Sequence, residues 1–402
     1  MKILFVLPQI PYPPHSGGRI VTWNTVKRFA RDWDVYIACL YHHPTELAHL
    51  DTVKTACREC AAFPAHGKWA LAPMLKSFTS PWPYKAHRFY NSNMMAYIQR
   101  LLAREPMDVI HAQNFYTTTY VSAKESCLKI HYKENIEGNI LRRYAAATKN
   151  PLIKTLARLE GWRTLCFEQR ACEKFDHIFT ISPKDRETLL QRNPSLPVEH
   201  QMPGVDLADY PYDKEQATAP TVVFTGTMSY YPNADGVQDF LRRSWPRIKN
   251  QVPNAECYIV GANPSRAIQA YDGHNQVHIT GRVNNVREYL HRAAVYIVPL
   301  RIGGGIRLKI LEAMASGRAI VSTSIGCEGL QGEPGKHLMI EDNPNRFADA
   351  VADLLQHKEK REHLRKNARA LIETCYDWDK VIRNQQARVR SLLMRFPSHP
   401  RP

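Results

Sequence analysis

Pro299-Leu300-Arg301-Ile302-Gly303-Gly304-Gly305-Ile306-Arg307-Leu308-Lys309-Ile310-Leu311-Glu312-Ala313-Met314-Ala315-Ser316-Gly317 joins a strand end, a glycine loop and a helix start. The apolar run that stops at Pro299 reads as a buried strand. Three consecutive glycines, Gly303, Gly304 and Gly305, let backbone amides surround an anion. Arg307 and Lys309 fall in the first turns of the helix, where cations oppose the helix dipole. An anionic ligand would compensate them. Glu312 offers a carboxylate that can accept hydrogen bonds from two ribose hydroxyls. Gly317 stands where a C-cap glycine ends a helix. The plain alternative is a glycine-rich loop before a surface helix.

The same grammar of strand, loop and helix extends in both directions. Ile3–Leu7, Val35–Leu40, Asp108–Ala112, Cys127–Tyr132 and His177–Ile181 read as strands, with helix-like stretches such as Arg19–Arg31 between them. After the polar stretch Tyr210–Pro220 the pattern restarts. Thr221–Thr225, Glu256–Val260, Val277–Thr280, Val295–Pro299 and Ala319–Thr323 form the second set. Such alternation predicts parallel sheets with crossover helices. Two doubly wound domains in series, with a linker near residues 207–219, are the simplest arrangement. Ligands of such sheets bind beyond the carboxyl ends of the strands, in the cleft between facing domains.

Composition narrows the class. The chain has 402 residues, 44% of them apolar and 23% charged, which excludes a disordered, collagenous or disulfide-stapled protein. No apolar run reaches the length of a spanning helix. The first strand, ending at Pro8-Gln9, lacks the cleavage site of a signal peptide. Nine scattered cysteines fit reduced thiols in a cytosol. Cys57-Arg58-Glu59-Cys60 has no partner pair for zinc and reads as two cysteines on one helical turn, with a redox role as the sharper alternative. The net charge is +16, with an excess of +7 over residues 1–215 and +9 beyond. Basicity of this kind attracts phosphates, whether of nucleotides, anionic lipids or nucleic acid.

Other segments carry candidate chemistry. Pro11–Arg19 contains Gly17-Gly18 between strand and helix, where backbone can approach a phosphate closely. It is not G-x-G-x-x-G, so a nicotinamide site is poorly supported. Val222–Asn233 runs from a strand into Gly226-Thr227 and on to Asn233. Val260-Gly261 and Thr280-Gly281 repeat the strand-then-glycine pattern. Asn135 and Glu137 follow a strand in Lys129–Glu137, and His131 within that strand reads as a core histidine. Trp82, Tyr84, Lys85 and Arg88 mix aromatic rings with cations, which suits a lipid headgroup interface or a partly packed loop. Asp32-Trp33-Asp34 precedes a strand and Asp377-Trp378-Asp379 opens a helix. Neither stands where a D-x-D holds metal on a nucleotide sugar.

Gly303–Ser324 resembles the C-terminal signature of family-4 glycosyltransferases (glycosyl transferases group 1), which have the GT-B fold. Glu312-Ala313-Met314-Ala315-Ser316-Gly317-Arg318-Ala319-Ile320 matches that family's E-A-M-A-x-G-x-P-V. Ser16-Gly17-Gly18, Thr180-Ile181-Ser182 and Gly204-Val205-Asp206 resemble its glycine loop, its strand-end serine and its N-G-V-D. Lys129–Glu137 resembles its H-N-x-E segment, with Glu134 where His often stands. The pattern I-P-Y-P-P-x-x-G with G-G-G-I-R-L-K-x-L-E-A-M-A is similar to sugar transferases of PEP-CTERM/EpsH-type exopolysaccharide systems. Two departures are visible. Gly304 stands where the first glutamate of E-x7-E contacts the donor sugar, and Gly226–Gly236 holds neither the usual Arg nor Lys.

The resemblance implies an α/β GT-B architecture. Residues 1–210 would form an acceptor-binding Rossmann-like domain and residues 211–375 a nucleotide-sugar-binding one. Residues 376–402 would form a helix returning to the first domain, plus a tail. It implies a retaining glycosyltransferase that uses a nucleotide-diphosphate sugar of UDP or GDP type, with no metal or other cofactor. Asn135, Glu137, Arg307 and Lys309 would be catalytic. Gly17, Gly18, Gly226, Thr227, Asn233, Gly303, Gly304, Gly305 and Glu312 would bind the donor. Trp82, Tyr84, Lys85 and Arg88 would face the acceptor or an anionic membrane. The acceptor would be a glycan or a polyprenyl-diphosphate-linked intermediate, met by a cytoplasmic protein peripheral at the inner face of the cytoplasmic membrane. No specific nucleic acid is expected. The rival readings are a nucleotide-sugar epimerase of the same fold and a non-catalytic module binding nucleotide sugar or nucleic acid.

Overall fold

The computed structural model describes residues 1–67, 70–148, 150–212, 219–303 and 306–396. The chain divides into two compact units, Met1–Met202 with Ile382–Pro402, and Pro203–Val381.

In the first unit, strands β1 (Lys2–Leu7), β2 (Asp34–Tyr41), β3 (Glu59–Pro64), β4 (Val109–Gln113), β5 (Leu128–Lys133), β6 (His177–Thr180) and β7 (Val198–His200) form one sheet. Its order is β3-β2-β1-β4-β5-β6-β7, and every pair is parallel. Parallel strands covered on both faces read as continuous apolar runs. Ile3-Leu4-Phe5-Val6-Leu7 is such a run, and each of its side chains is fully buried.

The second unit repeats the plan with β8 (Thr221–Thr225), β9 (Glu256–Val260), β10 (Val277–Gly281), β11 (Val295–Val298), β12 (Ala319–Ser322) and β13 (Met339–Ile340). Its order is β10-β9-β8-β11-β12-β13, again parallel throughout. In both sheets the winding reverses beside the first strand, between β1 and β4 and between β8 and β11. These are the switch points outside which ligands of doubly wound sheets sit.

All ten strands read from the sequence are present. Three more, β3, β7 and β13, each close a sheet edge. Most of their residues are only half-buried, so they lack the apolar run that marks a central strand. Cys60 lies in β3 and Cys57 in the turn before it, which corrects the expectation of a shared helical turn. Hydrogen bonding along the Cys57, Cys60 and Cys39 thiols, together with burial, pushes the Cys57 and Cys60 thiols above the ordinary range.

The last helix, Trp378–Arg395, packs on the first unit from Ile382 onward. Gln386 Nε2 donates to the Arg28 carbonyl at 3.3 Å, and Arg388 Nε donates to Glu199 Oε2 at 2.7 Å. Val389 is fully buried there. Val389→Ala is therefore expected to lower stability by about 2 kcal/mol, the scale of a buried aliphatic truncation. Denaturant unfolding of the full chain checks this, and an unchanged midpoint would contradict the packing.

Candidate functional site

The second unit gathers its candidates around one ammonium group. Lys309 lies in the first turn of the helix Leu308–Ala315, which follows β11 through the glycine loop. Its Nζ donates to Asn233 Oδ1 at 2.9 Å and lies 4.1 Å from the ring centre of Phe224, in β8. Asn233, from the helix Tyr231–Asp239, also donates through Nδ2 to the Thr227 carbonyl at 2.9 Å. A Cβ on Gly226 would come within 2.7 Å of Lys309 Nζ and 2.8 Å of Asn233 Nδ2. Glycine at the end of β8 thus leaves the space that the buried ammonium and amide occupy. Burial, and then the nearby charge of Arg307, pushes the Lys309 pKa down to about 7, against the pull of Glu312.

Arg307 is half-buried just before the helix. Gly303 has φ +139°, and a Cβ there would run into the Arg307 guanidinium. Both conformation and room therefore require glycine. Gly304 and Gly305 lie outside the described residues. Arg301 turns to Asp235 at 2.8 Å and Asp239 at 3.1 Å.

Glu312 follows one turn after Lys309. Burial pushes its carboxyl pKa up, and a hydrogen bond from the Tyr210 hydroxyl and the charges of Lys309 and Arg287 pull it down. The Tyr210 ring lies 5.3 Å from the Arg287 guanidinium, which pairs with Asp209 at 3.0 Å. Sequence reasoning missed Tyr210, which opens a stretch read as linker and stands about a hundred positions from its partner. Gly226, Thr227, Asn233, Gly303, Arg307, Lys309 and Glu312 thus all stand around the β8–β11 switch point.

The first unit places carboxylates at its own switch point. Gly17 and Gly18 open the helix Gly17–Phe29, as the sequence suggests. A Cβ on Gly18 would lie 3.0 Å from Glu134 Oε2. Glu134 Oε1 accepts from Gln113 Nε2 at 2.7 Å, and burial pushes its pKa up. The anion beside this helix start is therefore the chain's own Glu134. Asn135, half-buried, separates it from Glu137. Glu137 accepts from the Tyr116 hydroxyl at 2.5 Å and from Lys85 Nζ at 2.6 Å. Glu168 accepts from the backbone N–H groups of Glu137 and Gly138 and pairs with buried Lys133. It thereby caps the helix Glu137–Ala147 and fixes where Glu137 points.

The aromatic and basic cluster is packed. Trp82 is half-buried against His87, Tyr90 and Phe167, at ring separations of 5.3 to 6.0 Å. The Tyr84 backbone N–H donates to Glu160 Oε1 at 2.6 Å, and Arg88 Nε donates to the His66 carbonyl at 3.3 Å. Lys85 is spent on Glu137. His131 is a core histidine with no exposed surface, its pKa pushed down to about 3 by burial. Asp34 pairs with Arg58 at 2.7 Å, and Asp377 accepts from the Asp379 backbone at 3.0 Å.

Comparison with known proteins decides the class. Residues 219–357, which hold the Lys309 cluster, match the family described as Glycosyl transferases group 1. The second unit carries a glycosyl transferases group 1 domain. The expected enzyme class, a glycosyltransferase, follows from it. The glycosyltransferase is 23% identical over 400 residues to an uncharacterized 44.6 kDa protein in the cps region of Klebsiella pneumoniae, covering 94% of this chain and 97% of that one. Its fold is that of GT-B structures. Sucrose-phosphate synthase from Thermosynechococcus elongatus superimposes with a TM-score of 0.70 at 16% identity, over 98% of this chain and 100% of the other. HepE of Anabaena, solved in complex with UDP, gives 0.68 at 13% identity, over 97% and 100%.

Tyr210→Phe removes the hydroxyl that satisfies Glu312. It is expected to cost about 1.5 to 3 kcal/mol of stability, the scale of a hydrogen bond to a charged group. Urea unfolding of the variant beside the wild type checks this, and equal midpoints would remove Tyr210 from the network.

Proposed function

We propose that the glycosyltransferase moves a sugar from a nucleotide-diphosphate sugar to a glycan or polyprenyl-diphosphate-linked acceptor, with retention at the anomeric carbon. The acceptor would be met at an anionic membrane surface, in the synthesis of exopolysaccharide or another cell-surface polysaccharide. The Asn233–Lys309 hydrogen bond at the β8–β11 switch point, with Glu312 one turn on, carries this reading. The arrangement sets an ammonium and a carboxylate one helical turn apart, the spacing a diphosphate and its ribose require. The capsule-region relative and the UDP-bound neighbour support it.

In this mechanism the leaving diphosphate is the charge to be stabilised. Arg307, Lys309 and the amides of the glycine loop receive it. Lys309 is held by Asn233 before the substrate arrives, so little reorganisation of that cation accompanies bond breaking. Glu312, oriented by Tyr210, takes the ribose hydroxyls. Gly17 and Gly18 are assigned to donor binding because neither carries a side chain at the start of their helix. Glu134 beside them suits a sugar hydroxyl better than a phosphate, because two anions would repel. Asn135, just before the helix Glu137–Ala147, and Glu137, its first residue, are assigned as the catalytic polar groups of the first unit.

The ammonium of Lys309 supplies the test. Its pKa is about 7 without ligand, and a bound diphosphate raises it. Diphosphate affinity is then greatest where Lys309 is already protonated and falls as pH rises above neutrality. Calorimetric titration with UDP and GDP across that range is expected to show this fall. Lys309→Met is expected to weaken binding and flatten the difference between the two ends. A wild type and a Lys309→Met variant with the same affinity and slope would refute the assignment.

Because side-chain cations neutralise the diphosphate in this reading, turnover is expected to persist in excess EDTA. Loss of activity in chelator, restored by Mg²⁺ or Mn²⁺, would refute it.

A further inference from the structure

Two helices of the first unit face the wrong way for a water-soluble core. In Leu71–Thr79 the buried positions are Pro73 and Ser77, while Leu71, Met74, Leu75 and Phe78 are exposed, Phe78 by 76%. In Pro151–Cys172 the buried face runs through Ala157, Gly161, Thr164, Leu165 and Glu168. At 100° per residue, Leu152, Leu156 and Leu159 lie on the opposite side, and Trp162 beside them is 62% exposed. Arg163 ties the helices together, donating to the carbonyls of Ser77, Ser80 and Trp82. The two apolar strips therefore lie on neighbouring helices, and exposed apolar side chains gathered in this way mark an interaction surface.

Along Leu71–Thr79 and Pro151–Trp162 the one acid, Glu160, pairs with Arg163 at 3.2 Å, and the remaining charge is positive. No Asp or Glu occurs from Cys60 to Arg104, a stretch with six Lys or Arg, nor from Gly138 to Leu159, with five. Lys76 and Arg158 are exposed on these helices, next in sequence to Leu75 and Leu159. Leu, Phe and Trp on one face with Lys and Arg at its rim mark a helix that lies in a bilayer interface. A second copy of the chain would bring the same positive rim and repel it, whereas an anionic leaflet attracts it.

We infer that the face formed by Leu71–Thr79 and Pro151–Trp162 docks on an anionic lipid bilayer, with Phe78 and Trp162 entering the headgroup layer. The inference rests on the reading that the protein works at an anionic membrane surface and assigns that contact to these helices, not to the packed cluster around Trp82.

Flotation of the full chain with phosphatidylcholine vesicles containing phosphatidylglycerol tests it. The wild type is expected to float with them at low salt and to be released at high salt, and to leave pure phosphatidylcholine vesicles largely unoccupied. Combined substitution L75S, F78S, L156S and W162S is expected to cut the bound fraction at least about tenfold. The thermal midpoint should hold, since these side chains are already in solvent. K76Q and R158Q together are expected to weaken the low-salt binding and flatten its salt dependence. Binding of the quadruple variant equal to wild type would overturn the assignment of this face while leaving a membrane role elsewhere. No binding by the wild type would overturn both. A dimer seen by sedimentation, lost in the quadruple variant and without vesicle binding, would give the face to a second copy and overturn the proposal.

Discussion

Burying one ammonium group constrains most of the second unit's candidate site. A lysine taken out of water must find partners or lose its proton, and Lys309 meets both pressures at once. Asn233 accepts from it, the Phe224 ring faces it and Glu312 balances it, while Gly226 leaves room for it. These residues come from the end of β8 and from two helices, and Lys309 ties them at the switch point. The identities of several positions are therefore set together, and a change at any of them is felt by the others.

The two units use the same sheet plan with opposite charge. At the β1–β4 switch point stand the carboxylates of Glu134 and Glu137, backed by Glu168. At the β8–β11 switch point stand the cations Arg307 and Lys309, with Glu312 one turn behind. A diphosphate belongs with the cations. Sugar hydroxyls, which donate hydrogen bonds, belong with the carboxylates. The division of labour in the proposed reaction thus follows from sign alone.

The central strands were legible because a strand buried on both faces is apolar along its length, as Ile3–Leu7 and Val222–Phe224 are. The edge strands β3, β7 and β13 were not, because one side of an edge has no neighbour and tolerates mixed residues. In the site, Arg307, Lys309 and Glu312 could be found together because a short helix presents them within two turns. Tyr210 on Glu312 and Glu134 over Gly18 could not. Each contact joins segments about a hundred positions apart, and no local pattern records the meeting. Trp82 and Lys85 illustrate the converse. Their composition suggested a surface, but the contacts of Trp82 with Phe167 and of Lys85 with Glu137 turn them to packing.

The composition of the first unit fixes the order in which the protein can be completed. Its sheet is finished by Val198–His200, yet the helix that carries Val389 and bonds to Arg28 and Glu199 packs on it only from Ile382 onward, after the whole of the second unit. During synthesis the earlier domain must wait, partly uncovered, until the later one has left the ribosome. Shortening the chain at its far end would therefore damage the first domain, while the second, closed within its own stretch of sequence, would stand.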